Sequence, residues 1–282
     1  MADIVFNKNE LILDRIRNVA FHDLETKKLL LRLTSVEDPS LNCQSEGEEI
    51  LDALGSLITT LYRAKRATFG GSNSLMSLDL AAAQFGSKKV VAGIDDIEEF
   101  EKNTAYKGAK NITTYAYETL KVEAPAVEGD PYTIKLAYAP NVDSIKYIYN
   151  IVNGEIGTAF VAGSAASATE FVVATDGTIT LPTGVTSGNI YVEYTHNSES
   201  ANLVVNRASE FPTAGRLVIY AYFRDKCTEK LYSGAIICPK AKLSPESVEL
   251  ALTATGKHPF EFTMMKDYCS EDDELFSIII NQ

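Results

Sequence analysis

The stretch Glu210-Phe211-Pro212, followed by Gly215-Arg216-Leu217-Val218-Ile219-Tyr220-Ala221-Tyr222-Phe223-Arg224, decides the fold. Leu217, Ile219, Ala221 and Phe223 alternate with Val218, Tyr220, Tyr222 and Arg224. Both faces are largely apolar and β-prone, so this strand is expected in the middle of a sheet. A polar turn at residues 226–230 leads to a second run, 231–238, stopped by Pro239. Residues 248–253, 259–265 and 274–281 give three more strand candidates. Strands in series joined by short turns predict an antiparallel meander rather than βαβ units.

Upstream of this meander, residues 4–18 read as a strand, a short helix or a flexible arm. Residues 18–23 and 28–33 flank a polar segment and read as a hairpin. A polar stretch at 35–48, holding Pro39 and Cys43, is expected to be a loop. It is too long for a plain connection, which points to a task outside its own subunit. Residues 57–69 form a long strand carrying Arg63, Lys65 and Arg66. A basic cluster there suits a solvated edge that discourages stray pairing or a salt-bridged face, or else a contact with a phosphate or a partner. Gly70-Gly71-Ser72-Asn73 is read as a turn before a helix over 74–85, with Ser74 as N-cap and Gly86 at the C-terminal end. Leu75, Leu78, Ala82 and Phe85 share one predicted face. Residues 90–94 read as a strand, 95–101 as a short acidic element or loop, and 111–122 as a Thr- and Tyr-rich strand.

At 123–131 the composition shifts to a Pro- and Gly-bearing linker. Beyond it lies a compact all-β pattern, with strands at 132–138 and 145–152. Asn153-Gly154 and Asp176-Gly177 are hairpin turn signals, because their residues tolerate positive φ. The expected fold class is mainly β: a discontinuous β domain, 1–122 with 200–282, and an inserted Ig-like or β-sandwich domain at 131–199.

The chain has 282 residues, with 26 Lys and Arg against 38 Asp and Glu, so the net charge is 26 − 38 = −12. An acidic chain is a poor ligand for nucleic acid, since phosphate contacts need clustered cations. Absence of Trp weakly disfavours carbohydrate recognition by indole stacking. Cys43, Cys227, Cys238 and Cys269 form no C-x-x-C pair, and a reduced protein of the cytoplasm is expected. No run of membrane-spanning length is present. His22, His196 and His258 are far apart in sequence and read as surface or boundary residues. Glu271-Asp272-Asp273-Glu274 is an acidic run between strands, read first as a solvated turn. No Walker, Gly-x-Ser-x-Gly or His-Glu-x-x-His pattern occurs, and neither an enzyme, a cofactor nor a metal is expected.

The last third resembles the phage major tail protein, the tail-tube protein of long-tailed bacterial viruses. The resemblance is carried by Ala208-Ser209-Glu210-Phe211-Pro212, by Leu217-Val218-Ile219-Tyr220 with Asp225, and by the run from Ser233-Gly234-Ala235 through Pro239 to Leu243. Pro259-Phe260-Glu261-Phe262 and Leu275-Phe276-Ser277-Ile278-Ile279 add to it. It implies a tail-tube-like β-sandwich with a flanking helix, assembling into stacked hexameric rings with other tail proteins as partners. The tube would serve as the conduit for DNA ejection, the DNA passing a negative lumen without specific binding and without a membrane. The location implied is the virion tail, after synthesis in the host bacterial cytoplasm. Within that expectation, Arg63, Lys65 and Arg66 would meet acidic groups such as Glu271, Asp272, Asp273 and Glu274 of a neighbouring subunit. The alternatives are a capsid decoration or head–tail connector protein, or a β-sandwich module binding a ligand or cell surface.

Overall fold

The computed structural model describes residues 11–281, apart from 227–228, 246–247, 251–252, 254–255, 269–272 and the side chain of Arg63. Strands β1 (Leu11–Asp23), β2 (Leu29–Leu33), β3 (Val36–Leu51) and β4 (Leu57–Asn73) come first. Helix α1 (Leu78–Phe85), strand β5 (Val90–Val91), helix α2 (Ile97–Asn103) and strand β6 (Lys107–Gly108) follow. The middle holds β7 (Ile112–Lys121), β8 (Thr133–Lys135), β9 (Tyr147–Val152), β10 (Glu155–Ala162) and β11 (Glu170–Val173). It continues with β12 (Thr178–Thr180), β13 (Asn189–Ser198) and β14 (Asn202–Leu203). The chain closes with β15 (Ala214–Asp225), β16 (Leu231–Leu243), β17 (His258–Met264) and β18 (Ser277–Ile280). The protein is mainly β. It divides into two compact units, one of residues 1–90, 99–107 and 204–282, the other of 91–98 and 108–203.

The first unit is an eight-stranded sheet in the order β2-β1-β15-β16-β17-β4-β3, with β18 also on β16. Among the described residues all its pairings are antiparallel. As the alternation of Leu217 to Arg224 predicts, β15 is central, between β1 and β16. Phe21 of β1 and Phe262 of β17 meet with ring centroids 5.2 Å apart. Two strands separate them in the sheet. At about 4.8 Å per strand a flat sheet would hold these rings roughly 14 Å apart, so the sheet curls back over its own face. Phe69 and Phe260 join them at 5.8 Å, and Leu80 of α1 packs into the same core.

Four sequence expectations for this unit are corrected. Residues 35–48 are not a loop: β3 runs through them, paired with β4. Gly70 to Asn73 are not a turn: they continue β4, opposite residues 258–261 of β17. Neither Gly70 nor Gly71 has positive φ. Gly71 is small because a Cβ there would lie 3.1 Å from the Glu37 carbonyl and 3.3 Å from the Phe260 ring. Since β4 ends at Asn73, the helix starts later than expected. Its N-cap is Ser77, whose Oγ accepts from the Leu80 N–H at 3.2 Å, while the Ser74 hydroxyl donates to Ser35 O and Glu37. The buried face is accordingly Leu80, Ala81, Ala82 and Gln84, with Leu75 left 68% exposed. Gly86 does close the helix, at φ 70°. Residues 248–250 form no strand; 251–252 of that expected strand lie outside the described residues.

The second unit is a seven-stranded sheet in the order β7-β13-β9-β10-β11-β12-β8. Strand β7 pairs with β13 along its whole length, from Ile112↔Ser198 to Lys121↔Asn189, so it belongs to this sheet. The core gathers Ile148, Phe171, Ile179, Ile190 and Val192, all fully buried. Asn153 and Gly154 both have positive φ, 54° and 86°, as a type I′ hairpin turn requires. At the second turn only Gly177 does. The Asp176 carboxylate accepts from the Thr178 N–H at 3.0 Å and fixes the turn by a side-chain bond instead.

Candidate assembly surface

The longest pairing in the first unit is the hairpin of β3 and β4. Strand β17 covers β4 only from Ala67 to Asn73. Residues 57–66 therefore pair with β3 alone, and β3 is an edge strand throughout. At about 3.3 Å per residue this two-stranded arm is roughly 30 Å long. A ribbon of two strands is marginally stable in water by itself.

Its tip is nonetheless built with care. The Asp52 carboxylate accepts from the N–H groups of Leu54 at 2.8 Å and Ser56 at 2.7 Å, and Gly55 sits at φ 81°. These bonds pre-order the turn and lower the entropy cost of docking it. Around the turn, side chains that belong in a core stand in water: Leu54 is 92% exposed, Ile58 64% and Tyr62 73%. Ile50, Leu51, Leu57 and Leu61 are exposed with them. By strand alternation Leu57 and Leu61 lie on one face of the ribbon and Ile58 and Tyr62 on the other, so both faces expose apolar side chains, and exposure on this scale marks a protein contact. Covering one such side chain completely contributes about 1.5–3 kcal/mol before ordering costs.

The charges sit at the root of this arm. Lys65 and Arg66 are exposed on β4, and Ala64, at φ 46°, is the extra residue of a bulge between them and Arg63. The backbone of Arg63 pairs with Glu46. Arg66 reaches Glu46 on the neighbouring strand at 3.4 Å. Exposed ion pairs of this kind contribute little each. Of the acidic run, Glu271 and Asp272 lie outside the described residues. Asp273 pairs with Lys266. Asp273 and Glu274 line the same cleft of the first unit as Lys65 and Arg66. The two sets of side chains are thus close to each other within one chain.

The other residues singled out in the sequence have structural surroundings. His258 is buried, not at a boundary: its exposure is 1%. Its Nδ1 accepts from the Ser77 N–H at 3.3 Å, and Nε2 lies 2.7 Å from Gln84 Oε1. The Gln84 amide donates in turn to Pro259 O at 2.8 Å. This pattern suits the neutral ring protonated on Nε2, and burial lowers the His258 pKa. His196 stacks on Tyr138 with ring centroids 4.2 Å apart. Cys238 is buried, and burial raises its thiol pKa to about 11. Cys43 is exposed on β3, while Cys227 and Cys269 lie outside the described residues. Among the described residues no three of His, Cys, Asp or Glu are grouped to hold a metal ion. Among them, too, no helix is long and apolar enough to cross a membrane.

The profile of one protein family, YomU/Tube, matches residues 126–274, slightly more than half of the chain. The chain belongs to the YomU/Tube protein family. This is a phage tail-tube family, in agreement with the resemblance carried by the last third. No curated protein matches the chain. The match takes in β8 to β17, and therefore the central strand β15. It leaves out the β3–β4 arm, whose polar edge strand carries no periodic apolar signal to read.

Proposed function

We propose that this YomU/Tube protein is a structural subunit of a phage tail that assembles with copies of itself into stacked hexameric rings, forming the tube through which DNA leaves the virion. The observation that carries this reading is the β3–β4 arm, an ordered ribbon with an apolar tip and an open edge. Edge strands are ready templates for pairing with another chain, and a head-to-tail contact between identical subunits generates a ring when its rotation closes. The net charge of −12 supports passage of DNA without adhesion. In this reading Arg63, Lys65, Arg66, Glu271, Asp272, Asp273 and Glu274 tune specificity at the root of the arm more than affinity. Residues 131–199, with β7 as a partner strand, are a separable all-β domain of the subunit.

Electron microscopy and sedimentation of the purified full chain test the proposal. The wild type is expected to form rings or tubes. Leu54→Asp with Ile58→Asp is expected to remain monomeric with unchanged circular dichroism, because both side chains are already in water in the lone subunit. Reversal of Arg63, Lys65 and Arg66 to Glu should weaken assembly in a salt-dependent way. Normal tubes from the tip variant would overturn the role assigned to the arm.

A further inference from the structure

The outward face of the second unit's sheet is of a different kind. Alternate residues of β7 face water, and Tyr115 and Tyr117 are 89% and 74% exposed. The register sets Tyr117 beside Glu193 of β13, and Tyr191 of β13 beside both Thr119 of β7 and Tyr149 of β9. Tyr147, two residues before Tyr149 and 51% exposed, continues the same face. Five tyrosines therefore share one side of three adjacent strands. The rings of Tyr117 and Tyr191 lie diagonally, with centroids 6.2 Å apart. The Tyr191 hydroxyl donates to Glu193 at 2.5 Å, fixing that ring and leaving carboxylate lone pairs toward solvent.

We propose that this tyrosine face binds a neutral carbohydrate chain, the rings stacking on the C–H faces of successive sugars while Glu193 and the tyrosine hydroxyls bond sugar hydroxyls. Charge decides between occupants. On β7 and β13 this face carries Lys121 at one end and Glu193 near the middle. It has no cation cluster, so a phosphate-bearing polymer lacks counter-charges. A peptide adding as a strand would pair along the edge of β7 and leave the rings unused. Exposed tyrosines combine a large apolar area with a polar tip and little entropy to lose, which suits a ligand that is itself amphipathic. With no Trp in the chain, tyrosine supplies the ring surface. The proposal is independent of tube assembly.

The same lack of Trp makes tyrosine emission a clean signal. The full-length chain is titrated with cellohexaose, chitohexaose and maltohexaose, and separately with poly(glycerol phosphate). At least one hexaose should give a saturable change that added salt does not diminish. Tyr117→Ala with Tyr191→Ala should weaken it by roughly tenfold or more, while Tyr117→Phe retains it. The proposal fails if no hexaose saturates, if the double variant binds as well as the wild type, or if the phosphate polymer binds more tightly. It fails also if the double variant changes the sedimentation state instead, because the face is then an interface between protein chains.

Discussion

The β3–β4 arm of the first unit and the tyrosine face of the second leave different chemistry in water. The first exposes aliphatic side chains at the end of a ribbon that has little core of its own; the second exposes tyrosines on the flat of a sheet whose other side is a packed core. An exposed leucine gains only by losing water, so the arm needs a partner that closes over it. An exposed tyrosine is content at a wet surface, so its face can bind reversibly without being permanently covered. The difference separates a surface suited to assembly from one suited to recognition.

Each unit has its own hydrophobic core, so each is expected to unfold on its own. Phe262 and Phe171 are both fully buried, one in each core. Replacing either by Ala should cost about 3–5 kcal/mol. Calorimetry of Phe262→Ala should show one transition lowered and a second unchanged, with the opposite result for Phe171→Ala. A single transition that both variants lower equally would mean that the two units unfold as one.

The next effect is confined to the first unit. At Gly86 an added Cβ would lie 2.2 Å from the carbonyl carbon of Phe211, a backbone atom that cannot swing aside. The φ of 70° adds strain of about 1–3 kcal/mol for a non-glycine residue. Gly86→Ala should therefore lower only the transition that Phe262→Ala lowers. An unchanged melting profile would show that the C-terminal end of α1 is not held as described.

These tests concern positions that differ in how far the sequence reveals them. Gly86 was legible because a helix-ending glycine follows a helical run. The central place of β15 was legible because both its faces are apolar, and the Asn153-Gly154 turn because its residues are few and specific. The arm was not. Strand β3 is exposed on both sides along most of its length, so Glu46, Gly47, Glu48 and Glu49 show no alternation, and Pro39 sits where an edge bulge tolerates it. A strand without a buried face has no period-2 signature. The start of α1 was not legible for a related reason: Gly70 and Gly71 continue β4, where Gly71 allows close packing, and their composition alone imitates a turn. The tyrosine face was written in the alternation of Tyr115 and Tyr117, but its extension to Tyr191 and Tyr149 depends on register.

A smaller effect depends on pH. Burial holds the His258 pKa below its ordinary value, so the unfolded chain takes up the proton first as pH falls. Stability of the first unit should be constant above about pH 6.5 and decline below it. The decline ends only where the folded ring itself protonates and its Nδ1 can no longer accept from Ser77. Denaturant melts at pH 7.5 and about 5.5, read for each transition, should show the loss in the first unit. His258→Gln should flatten it, and an equal loss in both transitions would assign the effect to other groups.

The smallest effect lies in the second unit and runs at the acid end. Lys135 Nζ lies 2.6 Å from the Asp176 carboxylate, which also accepts from the Thr178 N–H and hydroxyl. The Lys135 contact first, and the Thr178 bonds after it, lower the Asp176 pKa to about 2. For a depressed carboxylate the contribution is fully present above the ordinary value of 3.8 and is lost as pH falls toward 2. The pair is exposed, so solvent screening keeps its effect on stability small, and the part of the shift that survives salt should be the part due to the Thr178 bonds. Carboxylate titration by NMR can divide the two causes. Lys135→Met should raise the Asp176 pKa part of the way to 3.8, and Thr178→Val should raise it by less. If the Thr178 variant has the larger effect, the turn is held by its own side-chain bonds and the lysine is incidental to it.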